Sequence, residues 1–293
     1  MRKHCFVSLI VLAAGSAAGQ LQTDAGVTVL NPSREGATTV SGQALVHSRR
    51  LAVASTDAEA VVLNGQGQIE CSNIQLAGGY SLAGRHAHIS GAVWPIEGTL
   101  TDPLADRAQA INDLVDQYAD PDESLDRGAI EFTGGEHSVE PGYYSGGMNI
   151  TGGNISLAPG VYILGGDMSL AGQAEVLADG VTIILLEGDV KVAGGASLRM
   201  VPPQDGDLMD FSIVLPASND GHISLTGNSG LSIQGSIYAP AGSMSVTGQA
   251  FGAAFGPFVG EMVVVDTLAL AGRGSIIIGA MGPVNLISER KID

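Results

Sequence analysis

One short phrase governs what this chain can become. Two apolar residues flank a polar or small one, a small residue follows, and glycine closes the phrase. It occurs as Met148-Asn-Ile150-Thr-Gly152, Met168-Ser-Leu170-Ala-Gly172, Val190-Lys-Val192-Ala-Gly194, Ile223-Ser-Leu225-Thr-Gly227, Met244-Ser-Val246-Thr-Gly248 and Leu268-Ala-Leu270-Ala-Gly272. The closing glycines lie 20, 22, 33, 21 and 24 residues apart, and the long interval holds the polar, proline-bearing stretch from Pro202 to Asp210. A period of this size, carried by strand-like phrases, is the signature of a solenoid with one coil per repeat. Alternation sends Ile223 and Leu225 to one side and Ser224 and Thr226 to the other. The glycine then turns the corner, since it takes positive φ without a Cβ clash.

The expected fold is therefore all-β: a single-stranded parallel β-helix of roughly nine or more coils, whose inward residues stack Met on Met and Leu on Val. Weaker copies extend the pattern toward the N-terminus, at Thr39-Val-Ser-Gly42, Val62-Leu-Asn-Gly65 and Ser81-Leu-Ala-Gly84. Val27-Thr-Val29 precedes them and is expected to cap the first coil, because an apolar coil end needs a cover. Val181 to Leu186 is a continuous apolar run, as expected of a strand covered on both faces or of the broadest inner wall. The alternation from Leu231 to Ala239 reads as one long strand ended by Pro240.

The pattern breaks at Thr101. Asp102-Pro103 is a helix start, with Asp as cap and Pro at the first helical position. Leu104, Ala108, Ile111, Leu114 or Val115, and Tyr118 then recur at helical spacing. The chain is expected to insert one amphipathic helix, 102–120, that lies against the solenoid's side.

Composition limits how such a fold is held together. Of 293 residues 45% are hydrophobic but only 4% aromatic, so the core must be built from Val, Ile, Leu, Met and Ala. Residues 1–19 read as a secretory signal peptide, with Arg2, Lys3 and His4 before a short apolar run and Ala17-Ala-Gly19 at its exit. That run is too short to span a membrane, which takes about 20 residues. Residues 20–293 then form one β-helix domain, exported to the envelope or beyond it. The C-terminal residues Ser288 to Asp293 form a charged tail rather than an apolar anchor. A formal charge of −17 argues against nucleic acid and anionic lipid as partners. Cys71 is the one cysteine beyond the leader, so no internal disulfide forms, and its setting between Ile69 and Ile74 predicts burial.

Few residues suggest chemistry. His86 and His88 put two imidazoles on one side of a strand, with Glu70 or Glu97 as a conceivable third ligand, but structural zinc takes four. Asp205, Asp207 and Asp210, and separately Asp179, Glu187 and Asp189, have the hard oxygens calcium prefers. The calcium-binding Gly-Gly-x-Gly-x-Asp repeat is absent, and Asp167 and Asp189 read more simply as corner residues. Arg34, Arg49 and Arg50 read as solvated or paired surface charges. Lys191, Arg199 and Arg273 are the cations from Gly128 to Gly282, with no repeated acidic column beside them, and no Gly-x-Ser-x-Gly phrase occurs. Trp94, beside Pro95, reads as a packing residue. The outward places Asn149, Ser169, Lys191, Ser224, Ser245 and Ala269 lack the regular Thr columns of an ice-binding face, and Lys191 interrupts the row. No catalytic, cofactor or metal residue is assigned.

The order of several motifs resembles the secreted domain of proteins associated with tight-adherence (Tad) pilus loci, the TadG-like group. The residues concerned are Leu30-Asn-Pro-Ser33, Ile74-Gln-Leu-Ala-Gly-Gly79, Asp102-Pro-Leu104, Pro141-Gly-Tyr-Tyr144, Leu157-Ala-Pro-Gly-Val-Tyr-Ile163 and Gly235-Ser-Ile-Tyr-Ala-Pro240. The resemblance implies a bacterial envelope or surface β-helix with an adhesive or assembly role, whose partners would be other envelope or pilus proteins or surface polysaccharide. It carries no catalytic residue across. The leading expectation is thus a non-enzymatic exported structural or adhesive solenoid. The alternative is a carbohydrate-active β-helix enzyme of pectate-lyase-like type acting on acidic polysaccharide.

Overall fold

The computed structural model describes residues 26–118, 125–248, 251–252 and 262–278. Among them the strands pair in parallel and wind into a three-walled solenoid of about ten turns. The recurring phrase builds the first wall. Its ladder runs 130–132, 148–150, 168–170, 190–192, 223–225, 244–246, 268–270, 38–40, 61–63 and 80–82. The second wall begins at Glu136–Val139 and ends at 88–90, and the third begins at Gly142–Tyr144 and ends at 92–95. Inside, Met148 sits on Met168 and Leu170 on Val192, as the alternation predicts. These columns are almost wholly excluded from solvent. Each such aliphatic side chain contributes about 1.5–3 kcal/mol on burial.

The corner between the first and second walls is a column of glycines. Gly172, Gly194, Gly227, Gly248, Gly272, Gly42 and Gly65 follow one another up the stack, all at positive φ. A Cβ on Gly42 would come 2.8 Å from the carbonyl oxygen of Gly272, so both the backbone conformation and the spacing require glycine. In the earliest copy the corner is shifted by one: Gly153 takes the positive φ, and the register slips between Ile150 and Gly152.

The coils do not stack in chain order. From residue 126 the chain climbs coil by coil to 262–278, and on top of that last coil lies the first: 26–29 pairs with 262–265 below and 50–53 above. The N-terminal segment continues upward through Val61–Asn64 and Gln68–Leu76 to Tyr80–Ala83 and His88–Pro95. Val27-Thr28-Val29 is therefore an interior rung, with all four residues of its strand buried, and the expectation of a terminal cap is corrected. The reason is physical: both edges of that strand are paired, so it covers nothing. Thr38 likewise sits on Leu268, and Leu45 to His47 on Ser275 to Ile277.

The linker between the two blocks runs down the outside of the third wall. Asp102 Oδ1 accepts a hydrogen bond from the Leu104 amide at 2.8 Å, as a capping aspartate does, and the chain turns through 103–107 before entering helix α1, Ala108–Tyr118. The helix thus begins six residues beyond the expected 102. Leu104, Ala108 and Ile111 pack on the outward residues Ile163, Ile184, Val214, Tyr238 and Val264, making a second apolar core outside the coil. This explains Val181–Leu185, which is buried at all five positions because the linker covers its outer side. Leu208, from the stretch that lengthens one repeat, joins the same core.

Two other sequence expectations change. The alternation 231–239 is two strands that meet at a corner, Gly235 (φ 98°), and Pro240 lies within strand Ser236–Val246, where the pairing register shifts toward the first wall. Trp94 is 59% exposed: it points outward from the uppermost coil, where among the described residues no further rung and no linker packs on it. The leader 1–19 and the tail from Ser288 lie outside the described residues, as does the expected helix end at 119–120.

Candidate functional site

A solenoid wall sets side chains in straight rows about 4.8 Å apart, so its chemistry is read along ladders rather than in a cleft. On the first wall the central outward row runs Glu131, Asn149, Ser169, Lys191, Ser224, Ser245, Ala269, Thr39, Val62 and Ser81. Short side chains dominate it, and all ten are partly or fully exposed. The row is flanked by Thr151, Thr226 and Thr247, which follow the inward residues Ile150, Leu225 and Val246.

One polar side chain on this wall, held through both of its ring nitrogens, was not anticipated from sequence. His222 lies flat across the next coil, with Nδ1 2.7 Å from the Ser243 hydroxyl and Nε2 2.7 Å from that of Ser245. One ring nitrogen accepts and the other donates in a neutral imidazole, so the two serines hold it from both ends. The signal was present in the register alone: His222 and Ser243 each precede an inward residue of the phrase by one position. The His222 amide donates to Asp189 Oδ1 at 2.7 Å, and the Asp189 amide donates to Asp167 Oδ1 at 2.9 Å. The aspartates therefore stitch successive corners, which is the corner role their Gly-Asp setting predicts.

The other sequence candidates are dispersed. Glu70 faces His47 at 3.3 Å across the second wall, while His88 pairs with Gln68 and His86 lies in the turn below it. Asp210 stands 3.9 Å from Arg107, whose guanidinium lies 4.7 Å above the Phe211 ring, so it pairs with the linker. Asp205 and Asp207 line a notch beside α1 together with Asp113, Val161 and Leu208. Among the described residues no three His, Cys, Asp or Glu side chains are grouped to hold a metal. Lys191 is on the first wall, Arg199 on the second opposite Leu177 and Ser232, and Arg273 on the corner, where its Nε donates to Gln43 at 2.9 Å. Glu97 lies exposed after the last strand of the upper block.

Cys71 is buried as expected, its Sγ 3.2 Å from the Ser48 hydroxyl, and burial pushes its thiol pKa up. Such a thiol packs rather than reacts. Two buried tyrosines, Tyr162 and Tyr238, also have raised pKa values. The Tyr162 hydroxyl lies 2.6 and 2.9 Å from the carbonyl oxygens of Val139 and Ala158, which share its one proton, and Tyr238 donates to Asp102 Oδ2 at 2.7 Å. Desolvation raises the pKa of both, and the Asp102 charge raises that of Tyr238 further.

The model of a family described as a domain of unknown function (DUF7305) matches residues 97–273. The chain belongs to this family. No curated protein and no solved structure matches it. The DUF7305 region begins at the linker and ends in the coil 262–278, so it takes in the lower block with its covering helix. The three coils above the joint precede it in sequence. Among the described residues no helix is long and apolar enough to cross a membrane.

Proposed function

We propose that this DUF7305 protein is an exported, non-catalytic component of a bacterial envelope or surface, with a structural or adhesive role carried by its first wall. The observation that supports this most is the first-wall row itself: ten rungs on a parallel ladder, seven of them short Ser, Thr, Asn or Ala side chains, with Glu131, Lys191 and Val62 as the exceptions. Such a face offers many weak, evenly spaced hydrogen-bonding places, which suits a repeating polymer or a flat protein partner. The basic, apolar and small-residue segments of positions 1–19 and the resemblance to TadG-like domains support export and a link to pilus assembly.

The ionisable groups that would serve a polysaccharide-cleaving enzyme, Lys191, Arg199 and Arg273, lie on separate walls and corners, whereas such chemistry needs them to converge on one site. The test is a panel of surface and acidic polysaccharides offered to the purified protein, scored both for retention and for new reducing or unsaturated ends. Retention without cleavage, weakened at least several-fold by Ser169→Trp plus Ser224→Trp, is the expected result. Cleavage abolished by His222→Ala or Lys191→Ala would replace this reading with the enzymatic one.

A further inference from the structure

The two ends of the solenoid are unlike in charge and alike in shape. Five of the six exposed large apolar side chains among the described residues belong to the end coils: Tyr80, Leu82, Val93 and Trp94 at the top and Leu125 at the bottom. Tyr80, Leu82 and Val93 occupy inward positions, paired below with Val61, Leu63 and Ile74, and they are 48, 46 and 39% exposed because no described rung follows. The upper edges of Tyr80–Ala83 and His88–Pro95 pair with no described strand. A free parallel edge over an apolar coil end is a template for another coil.

The molecule already joins two coil ends without covalent continuity. At the joint, 262–270 and 275–277 receive 26–29, 38–40 and 45–47 through the same ladders as any neighbouring coils. On the first and second walls the lower end of one copy matches the upper end of another in the same way, while on the third wall Asp126 already bridges Tyr143 from below. Following the ladders, the rung after Tyr80 and Leu82 is that of Ile130 and Phe132, and the rung after His88 and Ile89 is that of Glu136 and His137. The top carries Arg85, His86 and His88, with Glu97 just beyond its last strand, and the bottom carries Asp126, Glu131, Glu136 and Glu140 against Arg127 and His137. At the bottom Phe132 is only partly buried and stacks on His137 at 4.0 Å, beside a notch lined by Glu136, Asn154 and Leu177.

We propose that a second copy of this chain docks on the top coil with its bottom coil, head to tail, continuing the parallel ladders of the first and second walls across the contact. Head-to-head contact would set Arg85, His86 and His88 against themselves and would reverse the strands, so the charge pattern selects one polarity. A heterologous contact of this kind does not close, and it propagates into a rod.

The experiment is sedimentation velocity on the full chain over a concentration series at low and high salt, with Trp94, the one tryptophan, as a fluorescence reporter. Wild type is expected to form a concentration-dependent ladder of species that shortens in high salt, with Trp94 emission shifting to the blue as it grows. Leu82→Lys, at the top, and Phe132→Lys with Glu136→Lys, at the bottom, should each be monomeric. Their equimolar mixture should form dimers and stop there, because each dimer then ends in two blocked faces. Circular dichroism confirms that each variant is folded, and wild type provides the reading that needs no variant. Wild type that stays monomeric at several hundred micromolar with unshifted Trp94 emission overturns the proposal. So does a bottom-blocked variant that still dimerises alone, which is the head-to-head outcome.

Discussion

Thr38 shows how strictly the inner column is specified. It occupies an inward place between Leu268 and Val61, is fully buried, and its hydroxyl meets no hydrogen-bond partner among the described residues. An orphaned buried hydroxyl costs about 1–3 kcal/mol. Thr38→Val keeps the branched shape and removes the orphan, and is expected to stabilise the protein by about 1 kcal/mol, read as a higher denaturant midpoint at unchanged slope. The inward or outward sense of nearly every strand residue was legible from alternation, because a parallel wall with one buried side imposes a period of two. His222 was not, because its partners Ser243 and Ser245 lie a full coil away and only the register brings them together.

At the level of elements, the linker is the part that sequence described in kind but not in position. Its apolar stripe announced a helix packed on the solenoid, yet 103–107 turn without forming α-helix and the ordered helix starts at Ala108. Asp102 is the reason: its carboxylate caps Leu104 with one oxygen and takes the Tyr238 hydroxyl with the other, so the entry is pinned to the wall before the helix begins. Tyr238→Phe is expected to cost about 1.5–3 kcal/mol, the usual worth of a hydrogen bond to a charged acceptor. The pH dependence has a definite sign. Tyr238 has a raised pKa in the fold, so its contribution is complete below its ordinary value near 10 and is lost as pH rises beyond that. The melting midpoint should therefore fall above about pH 10. Tyr238→Phe should flatten that fall in part, leaving the share due to Tyr162, Tyr143 and Cys71, whose pKa values are also raised. A midpoint indifferent to pH from 9 to 11 in the wild type would contradict this account.

For the whole molecule, the order of coils was the feature least legible in sequence. Each phrase says that a coil exists and which way it faces, but an identical cross-section lets any coil end accept any other. Leu270 under Val40 is locally indistinguishable from Leu170 under Val192. The described chain leaves the second wall at Ile278, whose amide donates to the His47 carbonyl at 2.8 Å, and enters the third wall at Gly26, beside Arg50. Those are neighbouring stations on one coil, since His47 and Arg50 are three residues apart along the strand above. A circular permutant that joins 278 to 26 through a short Gly/Ser linker and opens at 97–101 is expected to fold with the same melting cooperativity and the same far-ultraviolet spectrum. Loss of cooperative melting in that permutant would mean that the linker, rather than the stack, dictates the order.

That waist position sets how the rod is presented. Whatever is attached before residue 26 or after residue 278 leaves from the flank, with three coils above and seven below. A partner or label fused at either point would therefore meet the solenoid at its waist, and both tips would stay open to solvent.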